Sequence, residues 1–199
     1  MPIELWTARM ERSLSDTERE AILPLLPPER RERLLRIQDV KKQREPLCAY
    51  LILCLAVRQK YGWKELPEVA LGRLGKPFFP DCPEVHFNIS HSSGAVLVGV
   101  SDKEIGVDIE RIRPMGQRMM VRMARVSTEE AFFQSWVRRE ARAKRSGEGV
   151  GTIMRSESPL QPGEYYYPLD TFPGYAAGVA TRSKDLPGKL HRYSLDDML

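Results

Sequence analysis

Residues 85–114 read VHFNISHSSGAVLVGVSDKEIGVDIERIRP, and the fold turns on how this stretch divides. β-branched and aromatic residues come in short runs separated by SSG and DKE, which predicts strands joined by tight turns. Two carboxylates interrupt the pattern: Asp108 and Glu110 stand one residue apart in GVDIE, where strand propensity has no use for them. In an extended chain residues i and i+2 share a face, so both carboxylates point one way while Val107 and Ile109 point into the opposite layer. Like charges on such neighbours repel unless something positive lies between them. A solvated strand end is the plain explanation. The chemical one is a hard cation: Mg²⁺ takes oxygen ligands, keeps several waters, and binds through one or two carboxylates together with phosphates.

Outward from this stretch the pattern changes character. VALGRLGKPFF shares the period of two, and with VHFNISHS, AVLVGVSD and IGVDIERI it predicts an antiparallel meander. Before it, one opening strand, IELWTA, leads into helices. Ser15 and Glu18 have the spacing of a capping box at the start of SDTEREAILPLL. PPERRERLLRIQDVKKQ opens on proline at a helix N-terminus, and PLCAYLILCLAVRQKYG predicts a largely buried helix that stops near Gly62. From Pro114 the helical pattern returns. Ser127 with Glu130 predicts a second capping box, opening STEEAFFQSWVRREARAKRSGEG, which ends at Gly147 and Gly149. VGTIMRSES, EYYYPLDTF, YAAGVATR and LHRYSL are strand-like again. This order indicates an α+β fold rather than alternating βαβ units. Two similar halves, 1–106 and 107–199, explain it.

The totals agree with a folded chain. At 199 residues roughly 70% of the unfolded surface can be buried. With 42% apolar and 29% charged residues, disordered and fibrous classes are excluded. No apolar run approaches the roughly 20 residues that span a bilayer, and MPIELWTARMERS lacks the apolar block of a signal peptide, so the expected location is the cytoplasm with no membrane partner. Cys48, Cys54 and Cys82 match neither a zinc spacing nor a CxxC; the first two read as small core residues. A formal charge of +4 favours an anionic partner.

A second acidic group comes from the later helix. Trp136, Glu140 and Lys144 fall at i, i+4 and i+8, hence on one face, with Phe132 and Phe133 a turn earlier. An amphipathic helix with an ordinary Glu–Lys pair accounts for this. So does a third carboxylate for the same cation with a lysine for phosphate. In NISHSSG, Ser90 and His91 stand where a strand meets a turn, positions from which a hydroxyl and an imidazole reach a phosphate. The segment lacks a GxSxG elbow, which removes the serine-hydrolase reading.

GKPFF, FNISHSSG, GVDIERI and FFQSWVRREARAKRSGEG, in this order, resemble the motifs of the surfactin-type 4′-phosphopantetheinyl transferases, approximately GKP, NISHS, GVDIE and W-x-x-KEA-x-x-K-x-x-G. The resemblance covers about residues 28–150. It implies two α+β halves related by a pseudo-twofold, each a small antiparallel sheet packed against helices, with the active site between them. It implies Mg²⁺-dependent transfer of 4′-phosphopantetheine from coenzyme A (CoA) to a serine of an apo acyl or peptidyl carrier protein of fatty acid, polyketide or nonribosomal peptide synthesis, releasing adenosine 3′,5′-bisphosphate, by a monomeric enzyme. Carried over by motif, Asp108, Glu110 and Glu140 hold the metal, Mg²⁺ or Mn²⁺ in its place. Glu140 is also the base for the carrier serine. Lys144, Ser90 and His91 contact CoA phosphates, Lys76 lies near the nucleotide, and Arg30, Arg33 and Arg44 surround the 3′-phosphate.

Two departures stand out. Arg139 replaces the family's lysine before the helical glutamate, keeping the charge but not the compact ammonium. The connector from Glu110 to Glu140 is short, in a region that helps grip the carrier. There MGQRMMVRMAR reads equally as a docking surface for an acidic helix or as core plus solvated face. Three alternatives remain: a relative that binds CoA without transfer, a metal-dependent phosphoesterase, and a basic nucleic-acid-binding module. Intermixed acidic residues and the lack of an aromatic-interleaved RNA motif argue against the last, so no nucleic acid is expected as a partner.

Overall fold

The computed structural model describes residues 3–147 and 158–199. Gly149 and most of VGTIMRSES lie outside the described residues. The strands are β1 (Glu4–Arg9), β2 (Ala70–Leu71), β3 (Pro77–Phe78), β4 (His86–Ser92), β5 (Ala95–Ser101), β6 (Ile105–Arg111), β7 (Tyr165–Leu169), β8 (Tyr175–Thr181) and β9 (Leu190–Ser194). The helices are α1 (Asp16–Ile22), α2 (Pro28–Leu35), α3 (Val40–Tyr61), α4 (Gln117–Ala124) and α5 (Glu129–Ser146). The fold is α+β, with small sheets packed against helices.

The predicted meander does not form. β4 and β5 make a hairpin, but β6 leaves for a second sheet of order β6-β8-β7, and β2 pairs only with β3. The first sheet, β4-β5-β1-β9, is mixed rather than antiparallel, because β9 runs parallel to β1. The physical reason lies in the side chains. Val96, Val98 and Val100 on one face of β5 join α3, whereas Ala95 and Leu97 on the other join Ile105, Val107, Ile109, Tyr175 and Val179 of the second sheet. A strand apolar on both faces needs a layer on each side. The layers therefore run α3, first sheet, second sheet, α5. The core between the sheets is buried completely at Leu5, Leu97, Ile105 and Ile109.

Helix boundaries follow capping chemistry. The Ser15–Glu18 capping box is present, and α3 and α5 stop at Gly62 and Gly147, both at φ 71°, a left-handed conformation that glycine adopts without strain. Two starts differ from expectation. Asp39 caps α3, accepting a hydrogen bond from the Lys41 N–H at 3.1 Å, so that helix begins upstream of Pro46. Thr128 rather than Ser127 caps α5, its hydroxyl accepting from the Ala131 N–H. Thr has the same capping oxygen as Ser, and the geometry of the entering chain selects between neighbours. Among the described residues no helix is long and apolar enough to cross a membrane.

Candidate functional site: a carboxylate cluster at the edge of a basic cleft

The site lies where the edges of the two sheets meet. No backbone ladder joins β4 to β6; side chains do. Asn88 Oδ1 accepts from the Val107 N–H at 2.8 Å, and Ser90 Oγ accepts from the Ile109 N–H at 3.3 Å. Ser90 also donates to Asp108 Oδ1 at 2.7 Å, and Ser92 donates to Glu110 Oε2 at 2.8 Å. Residues 88, 90 and 92 share one strand face, so NISHS presents three polar side chains to the β6 edge. His91 points to the opposite face. Strand alternation thus gives Ser90 and His91, both expected to contact CoA phosphates, different surroundings.

Glu140 and Lys144 reach this seam because α5 rests almost on the backbone of β6. A Cβ at Gly106 would overlap the Ala141 carbonyl and the Arg145 N–H. With glycine there, the helix axis can approach, and the residues on the same β6 face, Asp108 and Glu110, lie under α5. Lys144 Nζ donates to Asp108 Oδ1 at 2.7 Å and to Ser90 Oγ at 2.9 Å. Burial raises the Glu140 carboxyl above its ordinary range, repulsion from Asp108 and Glu110 adds to this, and Lys144 opposes it. Asp108 and Glu110 therefore act on Glu140 electrostatically, a question that spacing alone left open.

Carboxylate oxygens are the donors a hard cation takes. Asp108 is 3% exposed, and its Oδ2 is buried without a hydrogen-bond partner, an arrangement that is costly unless something positive satisfies the oxygen. As arranged, no group of three or more acidic, histidine or cysteine side chains among the described residues closes on a single point. The Lys144 ammonium supplies the positive charge at Asp108, and Arg113 Nη1 supplies it at Glu110 Oε2, 3.1 Å away.

Beside the seam two cavities of about 220 and 260 Å³ share Arg30, Pro77 and Ile89 and form one cleft. Lys76, Asn88, Lys144 and Gly147 line the inner part. Arg33, His91, Pro46 and Tyr50 line the outer part. Arg30 donates to the Gly75 carbonyl at 2.8 Å, which holds the GKP turn against α2. Lys76 donates to the carbonyls of Arg145 and Ile105 at 2.7 and 3.2 Å, and burial lowers its pKa to about 8. Arg44 lines neither cavity and donates to the Arg12 carbonyl at 3.0 Å.

The opposite side of α5 carries a charge network that sequence reading did not identify. Arg142 donates to both oxygens of Glu164, at 3.1 and 2.9 Å, and to the carbonyls of Ser158 and Pro159. Arg145 pairs with Glu104 at 2.6 Å and Glu164 at 3.5 Å. Burial raises the Glu164 carboxyl, but the Arg142 hydrogen bonds and the Gln161 N–H outweigh it, so its pKa is lowered. In RREARAKRS the cations at 142 and 145 look like a solvated face. Only the fold reveals their partners. Cys48 packs in the core whereas Cys54 is only half-buried, and burial pushes their thiols up to about 12 and about 11, which leaves them unreactive.

No family model matches the chain, but individual relatives do. It is 25% identical to 4′-phosphopantetheinyl transferase Sfp of Bacillus subtilis (strain 168) across 99% of this chain and 100% of that protein. It is 23% identical to 4′-phosphopantetheinyl transferase ffp of Bacillus subtilis over the same shares. A shorter match, 34% identical over 47% of this chain and 55% of the relative, is to 4′-phosphopantetheinyl transferase AcpT of Escherichia coli (strain K12). Motifs in order, a carboxylate seam beside a basic cleft, and relatives aligned end to end agree: along its whole length the chain is similar to 4′-phosphopantetheinyl transferases, and these relatives support an enzyme of the surfactin-type family.

Proposed function

We propose that this protein transfers the 4′-phosphopantetheine group of CoA to the serine of an apo carrier protein and releases adenosine 3′,5′-bisphosphate. One observation carries the reading: Asp108, Glu110, Glu140 and Lys144 act on one another at the edge of a cleft lined by Arg30, Arg33, Lys76 and His91. Such a surface suits a diphosphate, because phosphoryl transfer asks for positioning and neutralisation more than for covalent help from the protein. Asp108, Glu110 and Glu140 would hold Mg²⁺, or Mn²⁺. When bound, the ion neutralises charge on the phosphate oxygens.

The chain's own residues divide the remaining work. Glu140 takes the proton of the carrier serine, directly or through a water, as that oxygen attacks the β-phosphorus of CoA. The bond from that phosphorus to the bridging oxygen breaks, and the electron pair leaves with adenosine 3′,5′-bisphosphate. A carboxyl with a raised pKa is a better base than an ordinary one. Lys144 and Ser90 meet the phosphates near the seam. Lys76 stands near the nucleotide, and Arg30, Arg33 and His91 take the 3′-phosphate end, with Arg44 outside the cavity lining. The halves 1–106 and 107–199, related by a pseudo-twofold, form one monomeric, cytoplasmic unit around the cleft.

The test is a mass measurement on the carrier after incubation with the protein, CoA and Mg²⁺. The expected result is a gain equal to phosphopantetheine on an apo acyl or peptidyl carrier. Breakdown of CoA without carrier modification would overturn the reading in favour of a phosphoesterase, and CoA binding without either product would mean a relative that has lost transfer.

A further inference from the structure

The turn between β4 and β5 is held from three sides. Ser93 and Gly94 both have positive φ, 48° and 86°, the twist of a two-residue hairpin. The Tyr175 hydroxyl donates to the Ser93 carbonyl at 2.6 Å, the Met10 N–H donates to the Gly94 carbonyl at 2.8 Å, and the Gly94 N–H donates to Glu45 Oε1 at 2.7 Å. The second oxygen of the same carboxylate, Oε2, lies 3.1 Å from His91 Nδ1. Glu45 is on α3 and His91 on β4, so one side chain spans helix, turn and strand.

We infer that Glu45 is a positioning residue for His91, fixing the plane and tautomer of the imidazole beside Arg30 and Arg33 so that Nε2 meets an anionic group of the substrate. A carboxylate on Nδ1 requires the proton on that nitrogen, which fixes both tautomer and ring plane. Among the described residues Nε2 has no hydrogen-bond partner, and the ring lines the outer cavity beside Arg30 and Arg33 of α2. The charged groups facing the pair are those two arginines and Arg44 of α3, which also acts on Glu45. The hydrogen bond from His91 is the largest cause holding the Glu45 carboxyl below its ordinary range, and burial opposes it. This inference rests on the reading that the outer cavity takes CoA phosphate.

Glu45→Gln keeps an oxygen for the Gly94 N–H and removes the charge, so the turn is retained. Calorimetry with CoA is expected to give about tenfold weaker binding, with kcat within about twofold of wild type. In a His91→Ala background the same substitution should change affinity less than twofold, an outcome that a purely structural role at Gly94 would not give. The tautomer of the His91 ring, read from its nitrogen shifts by NMR without CoA, should carry the proton on Nδ1 in wild type and move toward Nε2 in Glu45→Gln. An unchanged tautomer, or an affinity loss that persists without His91, overturns the inference. If wild type fails to bind CoA while the tautomer still changes, the pairing stands and the CoA reading fails.

Discussion

At the level of single residues the site is a compromise between folding and chemistry. Glu140 is half-buried near two other carboxylates, and its pKa is raised above 4.5. A group with a raised folded pKa adds stability below its unfolded value, and that contribution is lost as pH rises through the folded value. Above it, the charge opposes folding. Glu140→Gln is therefore expected to lower transfer by at least ~10²–10⁴-fold, while raising the melting temperature of the ion-free protein at pH 7. The thermal advantage should shrink in acid, where the native residue is protonated too. Wild-type turnover in this variant would end the assignment of Glu140 as base, and a lower melting temperature at pH 7 would contradict the repulsion.

At the level of elements, α5 is located by a glycine and an ion pair on different sides. At Gly106→Ala the new methyl meets helix backbone at Ala141 and Arg145, which cannot yield as a flexible side chain would. Overpacking of this kind costs ~1–3 kcal/mol, and it pushes Glu140 and Lys144 away from Asp108. Transfer should fall more than stability, a contrast that activity and urea unfolding measured on one sample would reveal. Glu164→Gln acts from the other side. Side-chain exposures of 5% and 2% for Arg142 and Glu164 make this a buried pair, and removing one partner costs ~3–5 kcal/mol. Because the folded pKa of Glu164 is lowered, its contribution is present above the unfolded value and lost as pH falls through the folded one. The variant should be less stable at pH 7, with a flatter loss of stability towards acid. A melting temperature equal to wild type at pH 7 would mean the pair is not closed in solution.

Across the whole molecule, the chain's end returns to its beginning. β9 covers the open edge of β1, Leu195 and Met198 are buried in the α3 core, and Asp196 pairs with Arg12 at 2.6 Å. The ion pair is largely exposed and adds little; the apolar contacts hold the segment. Leu195→Ala should cost ~2–5 kcal/mol, seen as a shift of the whole denaturant midpoint rather than a separate early transition. A biphasic curve would show that the C-terminal strand melts alone.

The sequence by itself determined the strands around residues 85–114, the stops at Gly62 and Gly147, and the shared face of Asp108 and Glu110, because each depends on neighbours a few positions away. It also brought Glu140 and Lys144 onto one helical face. Only the tertiary structure decided that β6 leaves the first sheet, that β9 joins it in parallel, that Asn88, Ser90 and Ser92 stitch the two edges, and that Glu45 reaches His91 across 46 positions. Those pairings depend on which apolar faces find each other and which buried polar groups need partners. Both are properties of the assembled layers, and no local period in the chain encodes them.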